Sequence, residues 1–141
     1  MTQRNMSFLI LALCGAALAG ALNPARAQSP SPGGDVALRI GAADNGGVKQ
    51  VRIGDAFEVT LAENPSTGYQ WTLQAPLDPA LAVEGNSYVA SAPGLIGSGG
   101  LRSWRFRALK AGVAHLAIDN KRGWEPAPVE RFAIAIDVKA K

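Results

Sequence analysis

The chain has 141 residues, with a net charge of +3 at pH 7, one histidine and one cysteine. This length supports one domain with a modest core. A single histidine excludes a multi-histidine metal site, and any Ser/His catalysis would depend on His115 alone. The composition therefore argues against an enzyme and predicts neither a metal nor a cofactor.

The first 27 residues have the pattern of a secretory signal peptide. Arg4 is the only early charge, an apolar run extends from about Met6 to Leu22, and residues 25–27 form an A-x-A cleavage pattern. The run is slightly short for a membrane-spanning helix, and no other run of its length follows. We expect cleavage after Ala27, export to the periplasm or the exterior, and no membrane anchor.

Removal of the signal peptide would also remove Cys14, the only cysteine. The mature domain would then contain no disulfide and no thiol nucleophile. Its 12 basic and 11 acidic residues nearly balance, so there is no reason to expect a nucleic-acid partner. Residues 28–34, with the sequence QSPSPGG, predict a flexible tether before a domain at 35–141.

Apolar and polar residues alternate with period two along this domain, as is typical of half-buried strands. The alternation predicts strands at 36–40, 57–61, 69–73, 104–108, 114–118 and 132–138, with shorter candidates at 48–53 and 82–90. About eight strands with one apolar face each must bury those faces against one another, in a two-sheet sandwich or a small barrel. We favour an all-β, immunoglobulin-like sandwich.

A first loop is predicted between two of these strands, with the sequence Asn64-Pro65-Ser66-Thr67-Gly68-Tyr69. Pro65 fixes φ at the second position of a turn, and Gly68 can take the positive φ that leads into the next strand. A stable hairpin turn would explain these residues. It would not explain Ser66 and Thr67, whose hydroxyls would project from a rigid tip.

A second loop, at residues 94–100, contains the sequence Gly97-Ser98-Gly99-Gly100. Glycine-rich phosphate sites require a helix after the glycines, and here a strand follows. The glycines therefore indicate either a flexible hairpin or a backbone that lies close to another surface. The apolar pair Leu95 and Ile96 favours the second interpretation.

A third loop, at residues 121–126, places Trp124 among polar residues, glycine and proline. Tryptophan is enriched in binding hot spots, and Arg122 adds a planar hydrogen-bond donor. The alternative is that Trp124 folds back over the edge of the sandwich. Trp71 and Trp104 lie in alternating strands, and we expect them in the core.

In this order and spacing, the three loops resemble those of the chagasin-like family of cysteine peptidase inhibitors. The family's first loop, Asn-Pro-(Thr/Ser)-Thr-Gly-(Tyr/Phe), is matched by residues 64–69, and its Gly-x-Gly-Gly loop by residues 97–100. Its third loop is Arg-Pro-Trp, often followed by Glu, and here Gly123 replaces the proline. The resemblance covers nearly the whole domain.

The resemblance implies a monomeric sandwich that inserts three loops into the cleft of a papain-like cysteine peptidase. Inhibition would be reversible and non-covalent, in a one-to-one complex, with Ser66 and Thr67 nearest the catalytic cysteine. Residues 97–100 would run along the substrate side, and Trp124 would stack on an aromatic wall. The implied contact residues are Asn64, Pro65, Ser66, Thr67, Gly68, Tyr69, Gly97, Ser98, Gly99, Gly100, Arg122, Gly123 and Trp124.

Two other functions remain open at this point. A secreted immunoglobulin-like module for adhesion or carbohydrate binding would share the fold but would not need the three loops at one end. A hydrolase built on Ser66 and His115 is disfavoured, because His115 alternates with apolar residues and is expected on the solvent side.

Overall fold

The computed structural model describes residues 35–141, so the predicted signal peptide and tether lie outside the described part. Eight strands are present in that part, and the prediction of an all-β sandwich is confirmed. They are β1 (Val36–Ile40), β2 (Val48–Arg52), β3 (Ala56–Glu63), β4 (Gln70–Leu73), β5 (Leu81–Ala90), β6 (Gly100–Ala108), β7 (Gly112–Lys121) and β8 (Glu130–Lys139). None of the helical turns among residues 35–141 could span a membrane.

The strands form two four-stranded sheets, in the orders β1-β3-β6-β5 and β2-β8-β7-β4. Strands β1 and β2 pair in parallel with β3 and β8, and the other neighbours are antiparallel. The first loop joins β3 in one sheet to β4 in the other, so its interpretation as a hairpin turn is wrong. The second and third loops, at 91–99 and 122–129, do connect antiparallel neighbours.

The inward faces of the two sheets meet in one hydrophobic core. Phe57 and Phe106 are fully buried and stack with their ring centroids 5.2 Å apart. Trp71 and Trp104 are buried at 8% and 4% exposure, as predicted. Each large apolar side chain removed from water contributes about 1.5–3 kcal/mol to the stability of the fold. Burial of this core therefore stabilises the domain without a disulfide.

The strand register brings all three loops to one end of the sandwich. Glu63 pairs with Gly100, and Gly100 pairs with Ala90, so β3 and β5 end where β6 begins. In the other sheet Gln70 pairs with Lys121, so β4 begins where β7 ends. The first loop connects these ends of the two sheets directly. The second and third loops, which leave the same ends, must therefore lie on either side of it.

A salt bridge joins the two strands that flank the third loop. Arg131 Nε and Nη2 donate to the two carboxylate oxygens of Asp119 at 2.6 and 2.9 Å. The guanidinium holds the pKa of Asp119 below its usual value. The Asp119 carboxylate is buried and the Arg131 side chain is exposed, so the pair ties β7 to β8 at the base of the third loop.

Candidate functional site

The first loop is a capped 3₁₀ turn, Pro65–Thr67, held by its own side chains. Asn64 Oδ1 accepts hydrogen bonds from the backbone N–H and the hydroxyl of Ser66, at 3.2 and 2.6 Å. Thr67 Oγ1 donates to Asn64 O at 2.7 Å. Gly68 takes the predicted positive φ, 82°. Ser66 and Thr67 are exposed at the tip, but both hydroxyls are engaged inside the loop, which rigidifies it.

The second loop lies directly against the first. Asn64 Nδ2 donates to Gly97 O at 3.1 Å. A Cβ on Gly99 would lie 3.3 Å from Glu63 O, and φ is positive at both Gly97 and Gly99. The expectation of a backbone close to another surface is therefore met within the molecule, where the surface is the first loop.

Gly100 lies below the exposed tip. It is buried as the first residue of β6, where a Cβ would collide with the carbonyl oxygen of Val89 and lie 2.8 Å from the Tyr88 ring. Packing against Val89 and Tyr88 therefore requires glycine at position 100. Leu95 and Ile96 are 65% and 97% exposed and line a shallow groove between the first two loops.

The third loop exposes Trp124 to solvent. Glu125 N–H donates to Arg122 O at 3.1 Å, which closes a four-residue turn with Gly123 at its second position. The Trp124 side chain is 76% exposed, so the alternative in which it folds back over the sandwich edge is wrong. An exposed indole beside the first loop is typical of a binding hot spot.

Arg122 joins the third loop to the first. Its guanidinium lies 4.3 Å from the ring centroid of Tyr69, and its Nε donates to Thr67 O at 3.3 Å. The same guanidinium is 5.8 Å from the Trp124 ring centroid and 3.7 Å from Glu125 Oε1. Cation–π contacts at such sites contribute about 0.5–1 kcal/mol. Arg122 is thus already occupied within the protein, whereas the sequence suggested a donor for a partner.

Sequence reasoning missed Glu63 and Arg102, which lie beneath the loops. Glu63 is 5% exposed, and its Oε1 accepts from Arg102 Nε and Nη2 at 3.1 and 2.6 Å. A signal was present: Glu63 shares the inward parity of Val59 and Leu61, and Arg102 shares that of Trp104. Opposite charges at inward positions of adjacent strands indicate a buried ion pair.

His115 is exposed in β7 and lies far from the loops. His115 lies six positions before Lys121, which is at the loop end, and six steps along a strand correspond to about 20 Å. It cannot activate Ser66, so the hydrolase interpretation is wrong. No group of His, Cys, Asp or Glu within 35–141 is arranged to hold a metal ion.

Comparison with known families agrees with this geometry. The model of the chagasin family peptidase inhibitor I42 matches residues 50–136, which include all three loops. The chain belongs to the chagasin family of peptidase inhibitors. Membership confirms the resemblance, together with the predictions that the protein is an inhibitor and that it is not an enzyme.

Two proteins are similar to this chain in sequence over most of their own length. Chagasin from Trypanosoma cruzi is 29% identical over 91 residues, 61% of this chain and 82% of its own length. Amoebiasin-1 from Entamoeba histolytica is 30% identical over 89 residues, 61% of this chain and 84% of its own. Both alignments span most of the relative.

Two solved structures are similar to this one over most of its length. The cysteine protease inhibitor EhICP2 from Entamoeba histolytica superposes with a TM-score of 0.65 at 21% identity, covering 76% of this chain and all of that one. The solution structure of amebosin gives a TM-score of 0.63 at 26% identity, covering 75% and 100%. The superpositions support the two-sheet sandwich.

We predict that Gly123→Pro stabilises this chagasin-family protein. Gly123 lies outside the left-handed region, nothing is within 4 Å of its Cβ position, and the second turn position favours proline. The free energy of unfolding in urea should rise by about 0.4–1 kcal/mol, and the inhibition constant should fall about two- to fivefold.

Gly123→Ala is the matched control, because it adds a Cβ without fixing φ, and its gains should be smaller. If Gly123→Pro lowers the free energy of unfolding, the third loop does not have the proline-compatible turn described above.

Proposed function

We propose that the protein is a reversible, non-covalent inhibitor of papain-like cysteine peptidases that occludes the active-site cleft with its three-loop end. The observation that carries this proposal is that residues 64–69, 97–99 and 122–125 lie at one end of the sandwich, where the second and third loops each contact the first. Family membership supplies peptidase inhibition, and the related structure EhICP2 is named as a cysteine protease inhibitor.

Pre-organisation is the physical basis expected for tight binding. A three-loop end can bury a standard interface of roughly 1,200–2,000 Å², but area alone does not determine affinity. Ordering a flexible loop costs free energy on association. Here Asn64 and Arg122 hold the three loops together before any partner binds, so much of that cost is already met.

The first loop is also poorly suited to act as a substrate. Its 3₁₀ turn curls the backbone, and the carbonyl oxygen of Asn64 accepts from Thr67 N–H at 3.1 Å while that of Pro65 accepts from Gly68 N–H at 3.0 Å. For a peptidase to cleave at either carbonyl, the oxygen would have to leave the turn and bind the donors of the enzyme's oxyanion hole. The geometry therefore favours occlusion without cleavage.

The clustering of the loops weighs against the adhesion or carbohydrate-binding alternative. That function has no requirement for three loops at one end, and no specific feature of residues 35–141 favours it.

We predict a one-to-one complex with a papain-like peptidase whose catalytic cysteine has been changed to alanine, because occlusion needs no thiol. Size-exclusion chromatography of the mixture, with inhibition constants for the active enzymes of a small panel, measures this. Absence of inhibition at micromolar concentrations by folded protein would refute the proposed function. Dependence on the intact thiol, or cleavage between Ser66 and Thr67, would point to a substrate-like mechanism.

We predict that Trp124→Ala weakens inhibition by about 2 kcal/mol or more, the usual scale for a central aromatic hot spot. Its melting temperature should be nearly unchanged, because the indole is mostly exposed. Val113→Ala is the control, since Val113 is an exposed apolar residue at the far end of β7 and should leave the inhibition constant unaltered. A large fall in melting temperature with unchanged inhibition would make Trp124 a packing residue.

We propose in addition that the protein is exported and meets its target in the periplasm or outside the cell. The support is the N-terminal sequence, with its apolar run and the A-x-A pattern at 25–27. N-terminal sequencing of the protein made by its own cells should begin at or near Gln28. Full-length protein confined to the cytosol would contradict export.

A further inference from the structure

A small buried cluster lies directly beneath the first two loops and contacts the strands that support them. Its centre is the carboxylate of Glu63, whose side chain is 1% exposed, paired with Arg102, whose side chain is 22% exposed. The pair joins β3 to the adjacent β6 on the inward face, where the other residues are apolar.

The cluster holds both ends of the first loop. Glu63 is the residue before the loop, and its second carboxylate oxygen accepts the backbone N–H of Trp71 at 2.8 Å, just after the loop. The indole Nε1 of Trp71 donates to Ala62 O at 2.8 Å, which is a second hydrogen bond between β4 and β3. The separation between the two ends of the crossing is therefore fixed by side chains.

The cluster also holds both ends of the second loop. The second loop ends where β6 begins, at Gly100, and Arg102 lies two residues further along β6. Its guanidinium lies 5.3 Å from the ring centroid of Tyr88, in the strand that leads into that loop. One ion pair thus contacts all four strand ends from which the two loops project.

We propose that Glu63 and Arg102 are positioning residues that fix the first and second loops in the arrangement that captures a peptidase. A buried ion pair is weak evidence for stability, because apolar replacements of similar volume are often as stable or more so. The presence of the pair is better explained by its geometric specificity. The Glu63 carboxylate accepts from the Arg102 guanidinium and also from a backbone N–H of the other sheet. This inference rests on the proposed function.

The proposal has a kinetic consequence. If the loops lose their mutual orientation, only a fraction of the free inhibitor is competent to bind, and apparent affinity falls by that fraction. When competent and incompetent forms interconvert rapidly, the loss appears in the association rate constant, and the dissociation rate constant of the formed complex stays the same. Loss of a direct contact has the opposite signature, because contact mutations act mainly on dissociation.

The decisive variant is Glu63→Gln, which has almost the same shape. An amide presents an NH₂ donor in place of one carboxylate oxygen, so it must face either Arg102 or the Trp71 N–H, both of which are donors. We expect the association rate constant with a papain-like peptidase to fall about tenfold or more, with dissociation within about twofold of wild type. An unchanged association rate constant in folded Glu63→Gln would overturn the proposal.

Glu84→Gln is the matched control, because it makes the same chemical change at a carboxylate that also pairs with an arginine of β6. Glu84 accepts a hydrogen bond from Arg105 Nε at 2.9 Å, but it lies in β5 six positions before Ala90, where that strand reaches the second loop. It should keep the wild-type association rate constant. If both variants slow association equally, general destabilisation is the cause and the positioning role is wrong.

The double variant Glu63→Leu/Arg102→Leu separates positioning from folding, including the case in which Glu63→Gln does not fold. Apolar replacement of both partners leaves no buried charge unpaired, so the double variant should fold, with a melting temperature lowered only by the loss of the acceptor for the Trp71 N–H. Its association should be slow, because that N–H is no longer held. Wild-type association by the folded double variant would overturn the proposal.

Hydrogen exchange in the free protein tests the same inference without a peptidase. The Gly68 N–H bonds to Pro65 O in the first loop, and the Ser91 N–H bonds to Gly99 O at the base of the second. Glu63→Gln should lower protection at both amides about tenfold, and Glu84→Gln should not. If wild-type protein inhibits no peptidase, the proposed function fails while this measurement still decides the positioning role: unchanged protection in Glu63→Gln refutes it.

Discussion

The loop end of this protein depends on one constraint: the chain crosses from one sheet to the other within residues 64–69. So short a crossing has little conformational freedom. Asn64 caps its turn and Gly68 supplies the positive φ, and just after the crossing the Trp71 indole N–H donates to Ala62 O in β3. Because the crossing is fixed, the loops from the flanking hairpins can pack against it on both sides.

Three kinds of contact hold the loops together, and they differ in their dependence on water. The Asn64 to Gly97 hydrogen bond is exposed, and the Arg122 contact with Tyr69 is partly so. The Glu63 to Arg102 pair lies in the sandwich, where screening is weak and each unmet hydrogen bond is costly. We interpret the exposed contacts as restraints on the tips and the buried pair as the determinant of orientation. A peptidase cleft would then meet a surface already formed.

Gly123 shows how a local departure can coexist with the family geometry. The proline of the family motif would restrict this turn directly, whereas here the neighbouring Arg122 restrains it through its stack on Tyr69 and its bond to Thr67 O. Trp124 remains exposed beside the first loop.

The sequence by itself determined the strands, the core tryptophans and the three motifs, because alternation and turn chemistry are set by neighbouring residues. Its composition also argued against an enzyme. Only the tertiary structure showed that the first loop crosses between sheets, that Gly100 is buried, and that Arg122 binds within the molecule. The same holds for Glu63 and Arg102, whose bond joins positions 39 apart in the chain, and for Arg122 and Thr67, 55 apart. Such contacts depend on strand register and on the distance between sheets, and neither is encoded in a local stretch of residues.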